Sequence, residues 1–171
     1  MSYHPFVLKN DYVFFLFRMR FRVKNQPWFV SDTMPQDFEW VLNEMCSGAT
    51  NDLKSSENSE ITPILVKYGE KWKDFLQNGI WSVHPDPFWT FPHDFSLMKK
   101  DDKVLYQTLS EADLLIFKGD LNYRKLVGDL KWKPTDTFKE SLQGFHPAPL
   151  VALRTLVRFL FCDQIKSYHL N

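Results

Sequence analysis

An α/β fold with a mostly parallel sheet is the class the sequence predicts. Two compact apolar runs, Asp113–Phe117 and Pro149–Leu153, read as strands buried on both faces, the habit of a parallel sheet. Stretches of helical apolar spacing alternate with them, as the class requires. Each strand then ends on polar or glycine-containing text: Ser31-Asp32, Lys118-Gly119-Asp120 and Arg154-Thr155.

In chain order, Phe21, Val23 and Pro27–Val30 read as extended structure ending at Ser31-Asp32. Pro35 suits a first helical turn, and Phe38, Val41, Leu42 and Met45 recur at helical spacing, which predicts a helix over 35–46. Residues 47–60 are small, polar and breaker-rich, an exposed loop. A second helix is predicted over 61–77, with Ile64, Leu65, Tyr68, Trp72, Phe75 and Leu76 on one stripe and Gly79 beyond its end. Residues 81–97 combine Pro85, Pro87 and Pro92 with many Trp and Phe rings, and read as a long ordered loop. A short helix follows over 101–111, then the strand at 113–117. Helical text resumes from Asn122 to Val127 and again over 136–143, before the last strand at 149–153.

The length of 171 residues suits one domain and can bury a core without disulfides. Lys plus Arg and Asp plus Glu both total 21, and this balance argues against a dedicated nucleic-acid binder. No apolar run approaches the roughly 20 residues of a membrane span, and Arg18, Arg20 and Arg22 interrupt the longest candidate. Cys46 and Cys162 form no metal or disulfide pattern, so two free thiols in a reducing compartment, the cytosol, are expected.

In open α/β sheets ligands bind at the carboxyl ends of the strands, where these polar residues fall. Asp32 and Asp120, with Lys118, Asn122, Arg124 and Arg154 nearby, suit a hard cation together with an anionic substrate. The helix opening after Asp120 adds free backbone N–H groups. Both carboxylates are expected at one edge of the sheet, close enough to share a ligand. Plain alternatives stand beside each reading. Asp32 could cap the helix after it, Lys118-Gly-Asp120 could be a tight turn with Gly119 at positive φ, and Arg154 could be a surface charge. The aromatic loop could be a core plug or a substrate lid; either way Phe88 and Trp89 are expected to be buried against the sheet edge. His84, His93 and His146 all neighbour prolines, match no zinc spacing and read as loop histidines.

Pro27-Trp-Phe-Val-Ser-Asp32 with Asp37-Phe38 resembles the segment that carries a metal-binding aspartate in the damage-control phosphatases. Pro87-Phe-Trp-Thr90, the stretch Ala112–Asp129, Gly144–Pro149 and Leu153-Arg-Thr155 look like the sugar-phosphate phosphatase branch of that family, also called the acidic residue methyltransferase-like branch. The likeness covers about residues 19–156, the C-terminal part of the metal-binding domain, leaving 1–18 and 157–171 unmatched. It implies a Rossmann-like α/β/α fold, here incomplete, and hydrolysis of small sugar phosphates, typically fructose phosphates, with Mn²⁺, Ni²⁺ or Co²⁺. Carried over, Asp32 is a metal ligand that also approaches the substrate, Asp120, Leu121, Asn122, Tyr123 and Arg124 bind the substrate, and Arg154 joins them. A protein carboxyl methyltransferase activity is also associated with this branch.

The sequence departs from the family pattern in two motifs. The adjacent Asp-Asn metal pair of a DNAGFE-like motif is missing, Asn10-Asp11 having the reverse order. The Arg-Thr-x-Lys motif reads Arg154-Thr155-Leu156-Val157, without its lysine. A truncated isoform or a partial gene model is therefore expected. The choice lies between a phosphatase, impaired or not, and a non-catalytic fragment that keeps the fold.

Overall fold

Among the described residues, four short strands make two parallel pairs, each joined through helices. The structure is a computed structural model and describes residues 18–27, 32–48 and 61–154. The strand reading at Trp28–Val30, most of the 47–60 loop and residues 1–17 and 155–171, with Thr155 and Cys162 among them, lie outside the described residues. The chain divides into two units, Met1–Thr90 and Phe91–Asn171.

In the first unit, β1 (Met19–Val23) leads through α1 (Pro35–Ser47) and α2 (Ile61–Gln77) to β2 (Trp81–Pro85). β1 and β2 run parallel, from Met19 opposite Trp81 to Val23 opposite Pro85. Apolar Phe21 and Val23 alternate with Arg20 and Arg22, as a strand with one covered face requires. Phe21 packs on Phe38 of α1 at 4.7 Å and on Trp81 at 5.1 Å between ring centroids, while Trp81 meets Trp72 and Phe75 of α2. The helices approach closely at Gly69, where a Cβ would come within 2.9 Å of Met45.

The reading of 81–97 as wholly loop is corrected here, since its first five residues are β2. Prolines count against a helix, but a last strand residue such as Pro85 can do without an N–H. His84 accordingly sits on a strand rather than in a loop. Pro87–Thr90 and Phe95–Leu97 form single turns of 3₁₀ helix.

The second unit contains α3 (Met98–Asp101), α4 (Lys103–Ser110), β3 (Leu115–Lys118), α5 (Asp120–Leu126), α6 (Phe138–Ser141) and β4 (Leu150–Leu153). The helix expected over 101–111 breaks at Asp102, whose carboxylate accepts from the Leu105 N–H at 2.9 Å and so caps α4. Phe95, Phe117 and Phe145 form a triangle of rings with centroids 5.5–5.9 Å apart. Met98, Leu105, Leu109, Leu126 and Leu142 are buried in the same unit.

β3 pairs in parallel with β4, Leu115 opposite Leu150 and Lys118 opposite Leu153. Leu115 and Phe117 are buried, whereas Ile116 on β3 and Val151 and Leu153 on β4 are exposed. The burial of both faces predicted from the apolar runs is thus realised on one face only. The described architecture is that of an incomplete α/β fold, with one parallel pair of strands in each unit.

Candidate functional site

At the carboxyl end of β1 the chain leaves and comes back. The Lys24 N–H donates to the Thr33 carbonyl at 3.0 Å, which returns Asp32 and Thr33 to the strand end. Asp32 is thus set near the end of β1 by a loop closure and is not the last residue of a strand. It is not the cap of α1: that place is taken by Met34, whose N–H donates to the Asp37 carboxylate at 2.9 Å. Asp32 is half-buried.

Two cations share this end of the first unit. Lys24 is 8% exposed, and its ammonium donates to the Trp89 carbonyl. Burial pushes Lys24 below the usual lysine range, and the negative charge of Asp32 works in the opposite direction. Arg22 donates to both Asp86 oxygens, at 3.0 and 3.1 Å, and the Trp89 indole N–H donates to the same carboxylate at 3.1 Å. Phe88 and Trp89 are 1% and 6% exposed, so the aromatic turn is buried as expected, pinned by Lys24 and Asp86.

In the second unit the site residues gather where β3 and β4 end. Gly119 takes φ +103° and its N–H donates to the Leu153 carbonyl at 2.8 Å, tying the two strand ends together before α5 opens at Asp120. That φ favours glycine over any residue with a Cβ. The positive-φ alternative for Gly119 is therefore realised together with the helix start. The Asn122 side chain donates to the Lys118 carbonyl at 2.7 Å and braces this turn.

Arg154 follows β4 directly, and its side chain is only 12% exposed. Its guanidinium lies 4.3 Å above the Tyr123 ring and 3.9 Å from the Asp120 carboxylate. The reading of Arg154 as a surface charge is not what the structure shows. Tyr123 is itself stacked on Phe138, with ring planes 8° apart. Arg124, by contrast, is engaged in a bidentate pair with Asp129, with one N–H at 2.9 Å. The pairing holds the Asp129 carboxyl below, and the Arg124 guanidinium above, their ordinary ranges. Leu121 is half-buried beside them.

Asp120, Tyr123 and Arg154 are thus brought together in the second unit, while Asp32 belongs to the first. Lys24, Asp86 and Asp129 were not singled out as site residues. The one sequence signal for Asp129 is its place in the Ala112–Asp129 stretch, five residues after Arg124. Among the described residues, no group of three or more His, Cys, Asp or Glu could hold a metal ion. Asp32 has Lys24 as a charged neighbour, and this donor set does not fit a divalent ion without further ligands. No helix among the described residues is long and apolar enough to cross a membrane.

The described residues form an α/β chain whose parallel strands end near carboxylates, an arginine and a bracing amide, the end of the strands where open α/β sheets bind ligands. The family model of the damage-control phosphatase ARMT1-like domain matches residues 17–167, and the chain belongs to that family. Among curated proteins it is similar to damage-control phosphatase ARMT1 of Danio rerio, at 47% identity over 139 residues. The proteins of the same name from Xenopus laevis and Homo sapiens are 44% and 41% identical over 138 residues. In each case the alignment takes in 81% of this chain but only 28–29% of the relative.

Proposed function

We propose that the chain serves in hydrolysis of phosphate from small sugar phosphates, fructose phosphates being the expected class, and that residues 19–156 are the C-terminal part of such a catalytic domain. Family membership supports the reaction class, and the Asp120–Tyr123–Arg154 cluster is the observation that carries the substrate assignment. A guanidinium already fixed on a ring, with a carboxylate near it, is a pre-organised fork for a phosphate. In this reading Arg154 grips the phosphate and Asp120 accepts hydrogen bonds from sugar hydroxyls. Tyr123 forms a wall and Leu121 completes it. Asn122 and Arg124 act by holding the turn through Lys118 and Asp129. Asp32 contributes a carboxylate to a divalent cation, Mn²⁺, Ni²⁺ or Co²⁺, which would supply Lewis-acid polarisation of the phosphoryl group. A cytosolic setting agrees with the free thiol of Cys46.

A second reading is that of a non-catalytic member that retains the fold. It is favoured by the lack of a three-ligand metal cluster among the described residues and by the apolar exposed face of β3–β4.

Phosphate release from fructose 1-phosphate, with and without Mn²⁺, separates the two. The phosphatase reading expects slow, metal-dependent release, lower than that of a complete family protein and lost in Asp32→Asn and in Arg154→Gln. Release that is absent at all Mn²⁺ concentrations would leave the second reading standing.

A further inference from the structure

We infer that Asp129 is a positioning residue of the candidate site: it holds Arg124 away from the anion that Arg154 receives, so that a phosphate meets one guanidinium and leaves readily. The inference rests on the reading of Arg154 as the phosphate grip, and all its residues belong to the second unit.

Two carboxylates lie near Arg124. Asp120 is four residues before it in α5, one turn back on the same helix face, and its charge acts on the guanidinium too. Asp129 is five residues on, past the helix end, yet it takes both guanidinium bonds, the Nε–H donating at 2.9 Å. The backbone after α5 decides between them. Gly128 and Asp129 have φ of +68° and +53°, and the Asp129 N–H donates to the Arg124 carbonyl at 2.8 Å, which carries the carboxylate back over the arginine. Packing fixes this turn: a Cβ on Gly128 would come within 2.2 Å of the Gln143 amide nitrogen, and the Trp132 indole N–H donates to the Val127 carbonyl at 2.9 Å.

Stability does not account for the arrangement. The two side chains are 45% and 46% exposed, and an exposed ion pair contributes little. A left-handed backbone is uncommon outside glycine, and a glycine at 129 would be the easier fit. What the carboxylate supplies is an anion for Arg124. Carboxylate and phosphate take the same fork of guanidinium donors, so an arginine filled by one is withheld from the other. Arg154 lies 3.9 Å from Asp120, which puts an anion received there about one helical turn from Arg124. Two guanidiniums on one phosphate would hold product as firmly as substrate, and such uniform binding adds nothing to turnover once the site is filled.

The probe is inorganic phosphate, titrated into the isotope-labelled 171-residue chain while the Nε–Hε signals of Arg124 and Arg154 are followed. In the parent, phosphate should move the Arg154 signal and leave that of Arg124 in place. In Asp129→Asn both signals should move, with the midpoint at about one tenth of the parent's phosphate concentration. Asp129→Glu, which keeps a carboxylate, should stay near the parent, and adding Arg124→Gln to Asp129→Asn should cancel the gain. Asp129→Gly also suits the backbone and repeats the test should the asparagine variant fail to fold, with circular dichroism as the check. An unchanged midpoint in Asp129→Asn overturns the inference and leaves Arg154 the phosphate grip. A gain without movement of the Arg124 signal does the same, because the removed charge then acts only through its field. Movement of the Arg124 signal in the parent also overturns the inference. No movement of either signal in any variant overturns the reading of Arg154, and the inference with it. Loss of fold in both the asparagine and glycine variants overturns the inference alone, because the carboxylate would then be a requirement of folding.

Discussion

Replacing Tyr123 by Leu tests whether Arg154 is held in place before any ligand arrives. The ring supports the guanidinium at 4.3 Å, and the arginine side chain is 12% exposed. A cation over an aromatic face is worth about 0.5–1 kcal/mol when exposed and about 2 kcal/mol when desolvated, so this pair belongs in the upper part of that range. The Tyr123–Phe138 stack adds about 0.5 kcal/mol, the low end for aromatic pairs, because Phe138 is exposed. The Asp120 contact adds little, since its carboxylate is half exposed and 3.9 Å away. Tyr123→Leu should therefore cost about 2 kcal/mol, of which about 1–1.5 kcal/mol is shared with Arg154. The assay is a double-mutant cycle with Arg154→Met, followed by urea unfolding of all four chains. A coupling energy below about 0.3 kcal/mol would refute the pre-organised fork, because contacting residues that act together couple more strongly than that.

Two further outcomes follow from the packing and from the titration behaviour. Phe145 is 1% exposed between Phe95 and Phe117, so Phe145→Ala should lower the unfolding free energy by about 3–5 kcal/mol, with a much smaller loss for Phe145→Leu, read by urea denaturation. Burial and then the Arg22 charge depress the pKa of His84, with Asp86 opposing, so the unfolded chain takes up this proton first as pH falls below about 6.5. That stability is present above the ordinary histidine pKa and lost as pH falls through the depressed one; His84→Gln should flatten the fall in urea midpoint between about pH 7.5 and pH 5, and an unchanged slope would exclude His84 as its source.

The helices were legible because they rest on local periodicity, and the parallel sense of the strands because helices alternate with them. Phe38, Leu42 and Met45 fall on one stripe of α1, and the apolar runs before Gly119 and Arg154 are strands within two residues of their expected starts. Pairing was not legible, because hydrogen bonding between strands is a long-range choice that leaves no local mark. Nothing in Met19–Val23 says that its partner is Trp81–Pro85, and prolines at 85, 87 and 92 concealed that strand inside apparent loop text. The assumption that a continuous apolar run is covered on both sides failed for the same reason. Ile116 and Leu153 are as apolar as Leu115 and Phe117, yet only the latter two face the core.

At the candidate site, residue types were legible and their present partners were not. Asp120, Arg154 and Asn122 could each be expected at a strand end, but not that Asn122 spends its amide on the Lys118 carbonyl. Nor could spacing say that Arg124 would turn to Asp129 while Arg154, thirty residues on, would lie against Asp120 and Tyr123. This division of labour between the two arginines has a physical consequence. Arg124 already has two good carboxylate bonds and would have to break them to grip a phosphate, at a cost that a surface-exposed pair keeps modest but not zero. Arg154 sits 3.9 Å from its carboxylate, too far for a direct hydrogen bond, and so keeps its donors available while its orientation is fixed by the ring. Of the two cations, Arg154 is the one whose geometry suits an incoming anion.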